Sequence, residues 1–195
     1  NNLGATYNLY KDYSNALKSI SKALNIRPNI ADAYNNLGTA ELNLENESEA
    51  IKSYNKAIKI DPKFVLAYSN LCGLYERSNK LEKLKETLNK AENQGLSGNE
   101  EIKFRRGQLN SRNKDYKNST LYLEEVDDTK ISNKMKIDKY ELLGKDYDKI
   151  KHYKKAFNCF KKSNSLVSLS VDSQLYNPKN YQNEVSQLII SYSKI

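Results

Sequence analysis

The sequence predicts an all-α fold, a right-handed α-α superhelix in which helix pairs stack into a solenoid. Small and apolar residues recur at a 34-residue step in the first half of the 195-residue chain. Within each step the apolar residues follow the i, i+3, i+4, i+7 spacing of amphipathic helices. The recurring residues are Leu3, Leu37 and Leu71, then Ala23, Ala57 and Ala91, then Ala16 and Ala50, and finally Pro28 and Pro62. Such a period indicates stacked helix pairs, each of which buries its apolar face against its neighbours.

Regular units are predicted over residues 1–92, with the clearest one at 31–64. Asp32 is expected to cap the first helix of that unit, and the second helix ends before Pro62 because proline cannot continue a helix. Small residues at the crossing points allow the helices to approach closely. The predicted packing positions are Gly4, Gly38, Ala50, Ala57, Gly144 and Ala156.

Asn1 corresponds to a position inside the first helix of a unit, so the first unit is incomplete. We therefore expect this chain to be a piece of a larger protein.

The register changes after Ala91. Residues 93–99 are predicted to be an irregular linker because they are rich in turn-forming residues. Residues 100–166 are predicted to form two degenerate units, whose Gly107 and Gly144 lie 37 residues apart. Residues 167–195 are predicted to form a connector and a C-terminal capping helix that starts at Asn177-Pro178 and covers the last repeat.

The unit at 31–64 resembles the tetratricopeptide repeat (TPR), and the units on either side of it match the same signature at several positions. The matching residues are Tyr34, Leu37-Gly38, Ala50, Tyr54, Ala57 and Pro62. The unit departs from the TPR pattern at Glu41, where tyrosine is usual, and at Glu47, which replaces a turn aromatic. The resemblance implies a binding scaffold in which the first helix of each unit lines a concave groove.

Composition excludes several classes of function. No apolar run approaches the roughly 20 residues that span a bilayer, so no membrane partner is expected. Cys72 and Cys159 lie far apart without neighbouring ligands, so we expect no metal, no cofactor and a reducing, cytoplasmic location. His152 has no convergent nucleophile or carboxylate pair, and the glycines form no phosphate-binding loop. The chain has no catalytic constellation and is predicted not to be an enzyme by itself.

Three asparagines, Asn2, Asn36 and Asn70, recur one place before the repeated leucine. An amide both donates and accepts hydrogen bonds, so a row of amides can pair with the backbone of an extended peptide. The series resembles the asparagine ladder of TPR glycosyltransferases. The alternative is that Asn-Leu-Gly is simply a common TPR sequence motif, found here in an asparagine-rich chain. Tyr7, Tyr75 and Arg105 complete the predicted peptide-binding groove. The expected partner is a protein or an extended peptide, and self-association is left open.

Two alternative functions stand beside this one. Residues 142–166, with the Pro-started helix that follows, resemble the last TPR and linker of bacterial TPR-sulfotransferases. That resemblance implies a substrate-recruiting arm whose catalytic domain follows Ile195. The net charge of +8 allows RNA binding as a third interpretation, but the basic residues are scattered, so nucleic acid is disfavoured.

Overall fold

A computed structural model of the chain describes residues 1–168. These described residues form ten α-helices and contain no β-strand, which confirms the predicted all-α class. The helices are α1 (Asn2–Leu9), α2 (Tyr13–Ile26), α3 (Ala31–Asn43), α4 (Glu47–Ile60), α5 (Val65–Arg77), α6 (Leu81–Asn93), α7 (Glu100–Arg112), α8 (Tyr116–Glu124), α9 (Asn133–Lys149) and α10 (Tyr153–Ser168). A short 3₁₀ turn, Asp128–Lys130, precedes α9. The predicted capping helix at Asn177-Pro178 lies outside the described residues.

The ten helices form five consecutive pairs, and the same tight turn joins the two helices of every pair. In the first pair the N–H of Asp12 donates to the carbonyl of Tyr7 at 2.9 Å, and in the fifth the N–H of His152 donates to the carbonyl of Tyr147 at 2.8 Å. This six-to-one bond across a left-handed residue is the Schellman motif. The left-handed residues are Lys11, Glu45, Asn79, Lys114 and Lys151. The two looser units of the second half therefore turn in the same way as the regular ones.

Capping residues and prolines set several helix ends. The Asp12 carboxylate accepts a hydrogen bond from the backbone N–H of Asn15 at 3.2 Å, which fixes the start of α2. Helix α4 ends at Ile60, two residues before Pro62. The expectation that Asp32 caps α3 is wrong, because the N-cap is Ile30 and Asp32 lies in the first turn.

In four of the five pairs, a glycine of the first helix faces a large side chain sixteen residues later. A Cβ built on Gly38 would lie 2.8 Å from Cε1 of Tyr54, and one built on Gly144 would lie 2.5 Å from Cε1 of Phe160. Two further pairs share this relation, Gly4 with Ile20 and Gly107 with Leu123. The other predicted packing residues, Ala50, Ala57 and Ala156, are all 0% exposed.

The contacts divide the chain into two compact units, Asn1–Arg105 and the part from Arg106 onward. The first unit contains a buried cluster in which Ala33 and Ala40 of α3 meet Ala16 and Ile20 of α2, with Leu37 packed against them. Each unit is described by itself below.

Candidate functional site

The candidate site lies on the first helices of successive pairs within the first unit. The side-chain amide of Asn36 in α3 donates to Oδ1 of Asn1 at 3.0 Å. One repeat later, the amide of Asn70 in α5 donates to Oδ1 of Asn35 at 2.9 Å. The same bond therefore recurs at a 35-residue separation, and it links each first helix to the preceding one. We call Asn36, Asn70 and their acceptors the amide ladder.

Arg105 of α7 continues this ladder with a different side chain. Its Nε donates to Oγ of Ser69 at 3.2 Å, across 36 residues. The Ser69 hydroxyl in turn donates to Oε2 of Glu101 at 2.7 Å. A Cβ built on Gly73 would lie 2.9 Å from Nη2 of Arg105, so the missing side chain at Gly73 makes room for the guanidinium. The positive charge of Arg105 is thereby held against α5.

One stripe of each first helix stays open to solvent beside the ladder. On α3 the stripe consists of Asp32, Asn36, Thr39 and Asn43, and on α5 it consists of Leu66, Asn70, Gly73 and Arg77, all of them exposed or half-buried. The amide oxygens of Asn36 and Asn70 accept no hydrogen bond from any described residue. Each ladder asparagine thus uses a side-chain N–H for a hydrogen bond inside the protein, and its side-chain oxygen can still accept a hydrogen bond from a ligand.

The remaining predicted site residues lie in different surroundings. Asn2 is exposed, and its side chain makes no hydrogen bond to a described residue. Tyr7 is half-buried and packs against the cluster around Ala16. Tyr75 is only 7% exposed, and burial raises the pKa of its hydroxyl. The structure therefore brings together Asn36, Asn70 and Arg105, whereas Tyr75 belongs to the packed interior.

The acceptors of the ladder were missed in the sequence. Asn1, Asn35 and Ser69 occupy one repeat position, 34 residues apart, directly before the predicted asparagines. Asn35 is 6% exposed and Ser69 is 3% exposed. The repetition of a polar residue at this position was a signal, because buried polar side chains need partners. The 34-residue period alone does not show that adjacent repeat positions on different helices bond to each other.

The second unit holds a charged cluster around Asp128 that the sequence did not indicate. Nζ of Lys139, a residue only 3% exposed, donates to the carbonyl of Val126 at 2.6 Å and to Oδ1 of Asp128 at 2.8 Å. Tyr140 and Lys162 donate to the other carboxylate oxygen of Asp128. Burial alone would raise the pKa of Asp128, but the hydrogen bonds from Lys139, Tyr140 and Lys162 outweigh it and hold that pKa well below its usual range. The cluster fixes the 3₁₀ turn against the α9–α10 pair.

A second cluster joins α8 to the same pair. Tyr147 donates to the carboxylate of Glu124, and Nζ of Lys155 lies 3.3 Å from Oε1 of Glu124. Burial and the hydrogen bond to Glu124 raise the pKa of Tyr147 to about 12. His152 is exposed, and its ring stacks on that of Tyr147 with the centroids 6.0 Å apart. The cluster holds α8 against the α9–α10 pair.

Asp146 is a buried carboxylate inside the second unit, 1% exposed. The hydroxyl of Ser111 donates to its Oδ1 at 2.7 Å, and that of Ser119 donates to its Oδ2 at 2.5 Å. Burial raises the pKa of Asp146, and the two hydroxyls offset that rise only in part. Both oxygens are satisfied within the protein, so Asp146 offers nothing to a ligand.

Over residues 1–168, no group of three histidine, cysteine or acidic side chains is placed to hold a metal ion. In the same described part, no helix has the length and apolar character needed to cross a bilayer.

Comparison with known proteins supports a TPR protein. Residues 31–64, which contain α3 and α4, match the family model of the tetratricopeptide repeat. No curated protein matches the chain.

Several solved structures share the fold. TTC0263, a thermophilic TPR protein in Thermus thermophilus, is 16% identical with a TM-score of 0.70, over 97% of this chain and 96% of that one. PilF of Pseudomonas aeruginosa is 19% identical with a TM-score of 0.70, over 83% of this chain and 73% of that one. A chain of the Cut9–Hcn1 hetero-tetramer of the APC/C is 16% identical with a TM-score of 0.81, over 98% of this chain but only 36% of its own length. At these identities the likeness concerns the fold, that of a TPR solenoid.

Proposed function

We propose that the chain is a binding scaffold whose first unit holds an extended peptide of a partner protein along the amide ladder. The observation that carries the proposal is the recurring bond from Asn36 to Asn1 and from Asn70 to Asn35. Each bond restricts the rotamer of one asparagine through the same contact in successive repeats and leaves its side-chain oxygen as an acceptor. A ligand that binds such prearranged groups loses less conformational entropy on the protein side.

The geometry suits a backbone ligand. Neighbouring packed helices lie about 8–10 Å apart, and a chain in the extended polyproline II conformation advances about 3.1 Å per residue with three residues per turn, so one ladder position serves roughly every third peptide residue. Apart from Asp32 and Arg77, the residues of the open stripes carry no charge, among them Thr39 and Asn43 on α3 and Gly73 on α5. Such a surface selects an extended backbone more than a particular side chain.

Arg105 places a positive charge at one end of the ladder and so favours one orientation of a bound peptide. Its guanidinium lies beyond Asn70 in repeat order and bonds to Ser69. Guanidinium groups favour carboxylate ligands, with which they form charge-assisted hydrogen bonds. We therefore expect bound peptides to place an acidic group or a C-terminal carboxylate near Arg105.

The experiment begins with selection of binders from a random peptide library on the full chain. A selected peptide is then labelled, and its affinity is measured by fluorescence anisotropy. The double substitution Asn36→Ala with Asn70→Ala removes two prearranged amides, each worth about 0.5–1.5 kcal/mol. We expect binding to weaken about tenfold or more, and N-methylation of the peptide amides to have a similar effect.

Asn25→Ala with Asn158→Ala is the matched control, since both asparagines are exposed on second helices. This control should bind like the wild type. Unchanged affinity in a folded Asn36→Ala, Asn70→Ala variant would contradict the proposal.

The resemblance to the TPR region of sulfotransferases remains a prediction. The residues that carry it, 142–166, fall in α9 and α10, a pair that any repeat of this type would form. A strand followed by a phosphate-binding loop in the coding sequence after Ile195 would support that function.

A further inference from the structure

The α9–α10 pair of the second unit carries an unbalanced positive charge. Residues 149–168 contain six lysines and no aspartate or glutamate. The lysines are Lys149, Lys151, Lys154, Lys155, Lys161 and Lys162, and all six are exposed. This stretch comprises the end of α9, the tight turn and the whole of α10.

Two of these lysines are neutralised inside the unit. Nζ of Lys155 lies 3.3 Å from Glu124, and Nζ of Lys162 lies 2.9 Å from Asp128. The ammonium groups of the other four form no hydrogen bond or ion pair with any described residue. We call these four, Lys149, Lys151, Lys154 and Lys161, the lysine row.

Two members of the lysine row share one face of α10. Lys154 and Lys161 lie seven residues apart on α10, so they share a face at a separation of about 10 Å. Lys151 stands in the turn directly before α10, with a φ of 63°. A polypeptide in the polyproline II conformation advances about 9 Å in three residues and repeats its side-chain direction at the same interval. Acidic side chains three positions apart would therefore meet Lys154 and Lys161.

The surroundings favour a polypeptide over a nucleic acid. Binding of single strands relies on several exposed aromatic rings on which successive bases stack, but Phe157 is the one exposed aromatic residue of α10, and Tyr147 of α9 is only 3% exposed. All six basic residues are lysines, whereas arginine is the usual choice for phosphate recognition. Phe157, 37% exposed on the same helix, adds an apolar contact.

We propose that the lysine row is a second interaction surface, which binds an acidic segment of a partner polypeptide with carboxylates at about every third position. It is distinct from the amide ladder, which lies in the first unit. Opposite charges at this exposed surface steer the encounter, so the association is strongest at low ionic strength.

The test uses the full chain and a fluorescein-labelled peptide with glutamate at every third position and leucine and glycine between. Anisotropy is recorded at low and at raised ionic strength. The variant Lys151→Glu, Lys154→Glu, Lys161→Glu should bind about tenfold more weakly or worse, because three attractive contacts become repulsive. A matched variant with the same charge change, Lys18→Glu, Lys22→Glu, Lys59→Glu, alters exposed lysines of the first unit and should stay within about twofold of the wild type.

The substituted side chains are all exposed, so both variants should keep the wild-type unfolding midpoint. Equal loss of affinity in the two variants would mean attraction by net charge alone and would overturn the proposal. Absence of peptide binding at low ionic strength would overturn it too. Tighter binding of labelled oligothymidylate than of the glutamate peptide would do the same and indicate a nucleic-acid surface. The Asn36→Ala, Asn70→Ala variant should bind the glutamate peptide normally, which separates this proposal from the ladder.

Discussion

Replacing Gly38 by alanine tests the close helix crossing that four of the five described pairs make at a glycine. The added Cβ would lie 2.8 Å, 2.9 Å and 3.1 Å from three ring carbons of Tyr54. Carbon atoms in good contact are about 3.5–4.0 Å apart, so the ring would have to move by roughly 0.7 Å. Tyr54 is only 1% exposed, and its hydroxyl lies 3.3 Å from that of Thr39. The ring has little room to move without loss of this contact.

The magnitude follows from two opposing effects. Overpacking of a well-filled core costs about 1–3 kcal/mol. Exchange of glycine for alanine inside a helix contributes up to about 1 kcal/mol in the other direction. We therefore expect Gly38→Ala to lower the free energy of unfolding by about 1–2 kcal/mol, read as a lower urea midpoint with far-UV circular dichroism as the probe.

Gly73→Ala is the matched control. Gly73 also lies within a first helix, but its nearest neighbour is the end of the flexible Arg105 side chain, 2.9 Å away. This variant gains the same helix propensity without a rigid clash, so its midpoint should stay unchanged or rise. A Gly38→Ala midpoint that rises like that of Gly73→Ala would refute the packing argument.

A second substitution, Tyr54→Leu, should relieve the loss of stability caused by Gly38→Ala. In the third pair the glycine is replaced by the buried Cys72, and the large residue sixteen places later is Leu88 rather than tyrosine. Tyr54→Leu added to Gly38→Ala recreates that combination. The double variant should be more stable than the sum of the single effects by about 1 kcal/mol. If the stability effects of the two substitutions were strictly additive, the added Cβ at position 38 and the ring of Tyr54 would not compete for the same space.

Two further predictions concern Asp128 and the left-handed turns. Asp128→Asn should cost about 2–3 kcal/mol because the buried ammonium of Lys139 loses its carboxylate. Since the folded-state pKa of Asp128 is depressed, its stabilisation is fully present above its ordinary pKa of about 4 and is lost progressively as the pH falls from there toward the much lower folded-state pKa. Acid titration of the urea midpoint should show this loss in the wild type and a weaker one in the variant, and parallel curves would contradict the assignment. Glu45→Gly should raise stability by about 0.5–1 kcal/mol, because Glu45 adopts a φ of 64° that glycine tolerates better. Asn79→Gly, at the equivalent turn, should gain less because asparagine already tolerates this region, and thermal unfolding of the two variants measures the difference.

Much of the fold could be predicted because its determinants are local in sequence. Gly38 and Tyr54 lie within one repeat, so their spacing reports a contact between two consecutive helices. The end of α4 before Pro62 follows from the chemistry of one residue. The cap at Asp32 was misplaced because an acidic residue suits the first turn of a helix as well as its N-cap.

The candidate site was predictable only in part. The repeated Asn36 and Asn70 were visible in the sequence, but their acceptors Asn1 and Asn35 belong to the preceding repeat. The period contains no information on which neighbouring position receives the bond. Tyr75 was assigned to the groove from its place in the repeat, yet its side chain is buried, because packing against adjacent helices decides which face of an aromatic residue meets water.

By itself, the sequence determined the helix pairs, their number in the described part and the small residues that let them cross, since each depends on spacing within a single repeat. Only the tertiary structure decided which polar residues are buried and which groups they bond to. Asp146 stands two places after Gly144, where the second pair has the apolar Ala40 after Gly38. It can be buried only because Ser111 and Ser119, on two other helices, supply hydroxyls to both carboxylate oxygens. A buried charge is tolerated when distant parts of the chain satisfy it, and such distant partners are set by the fold.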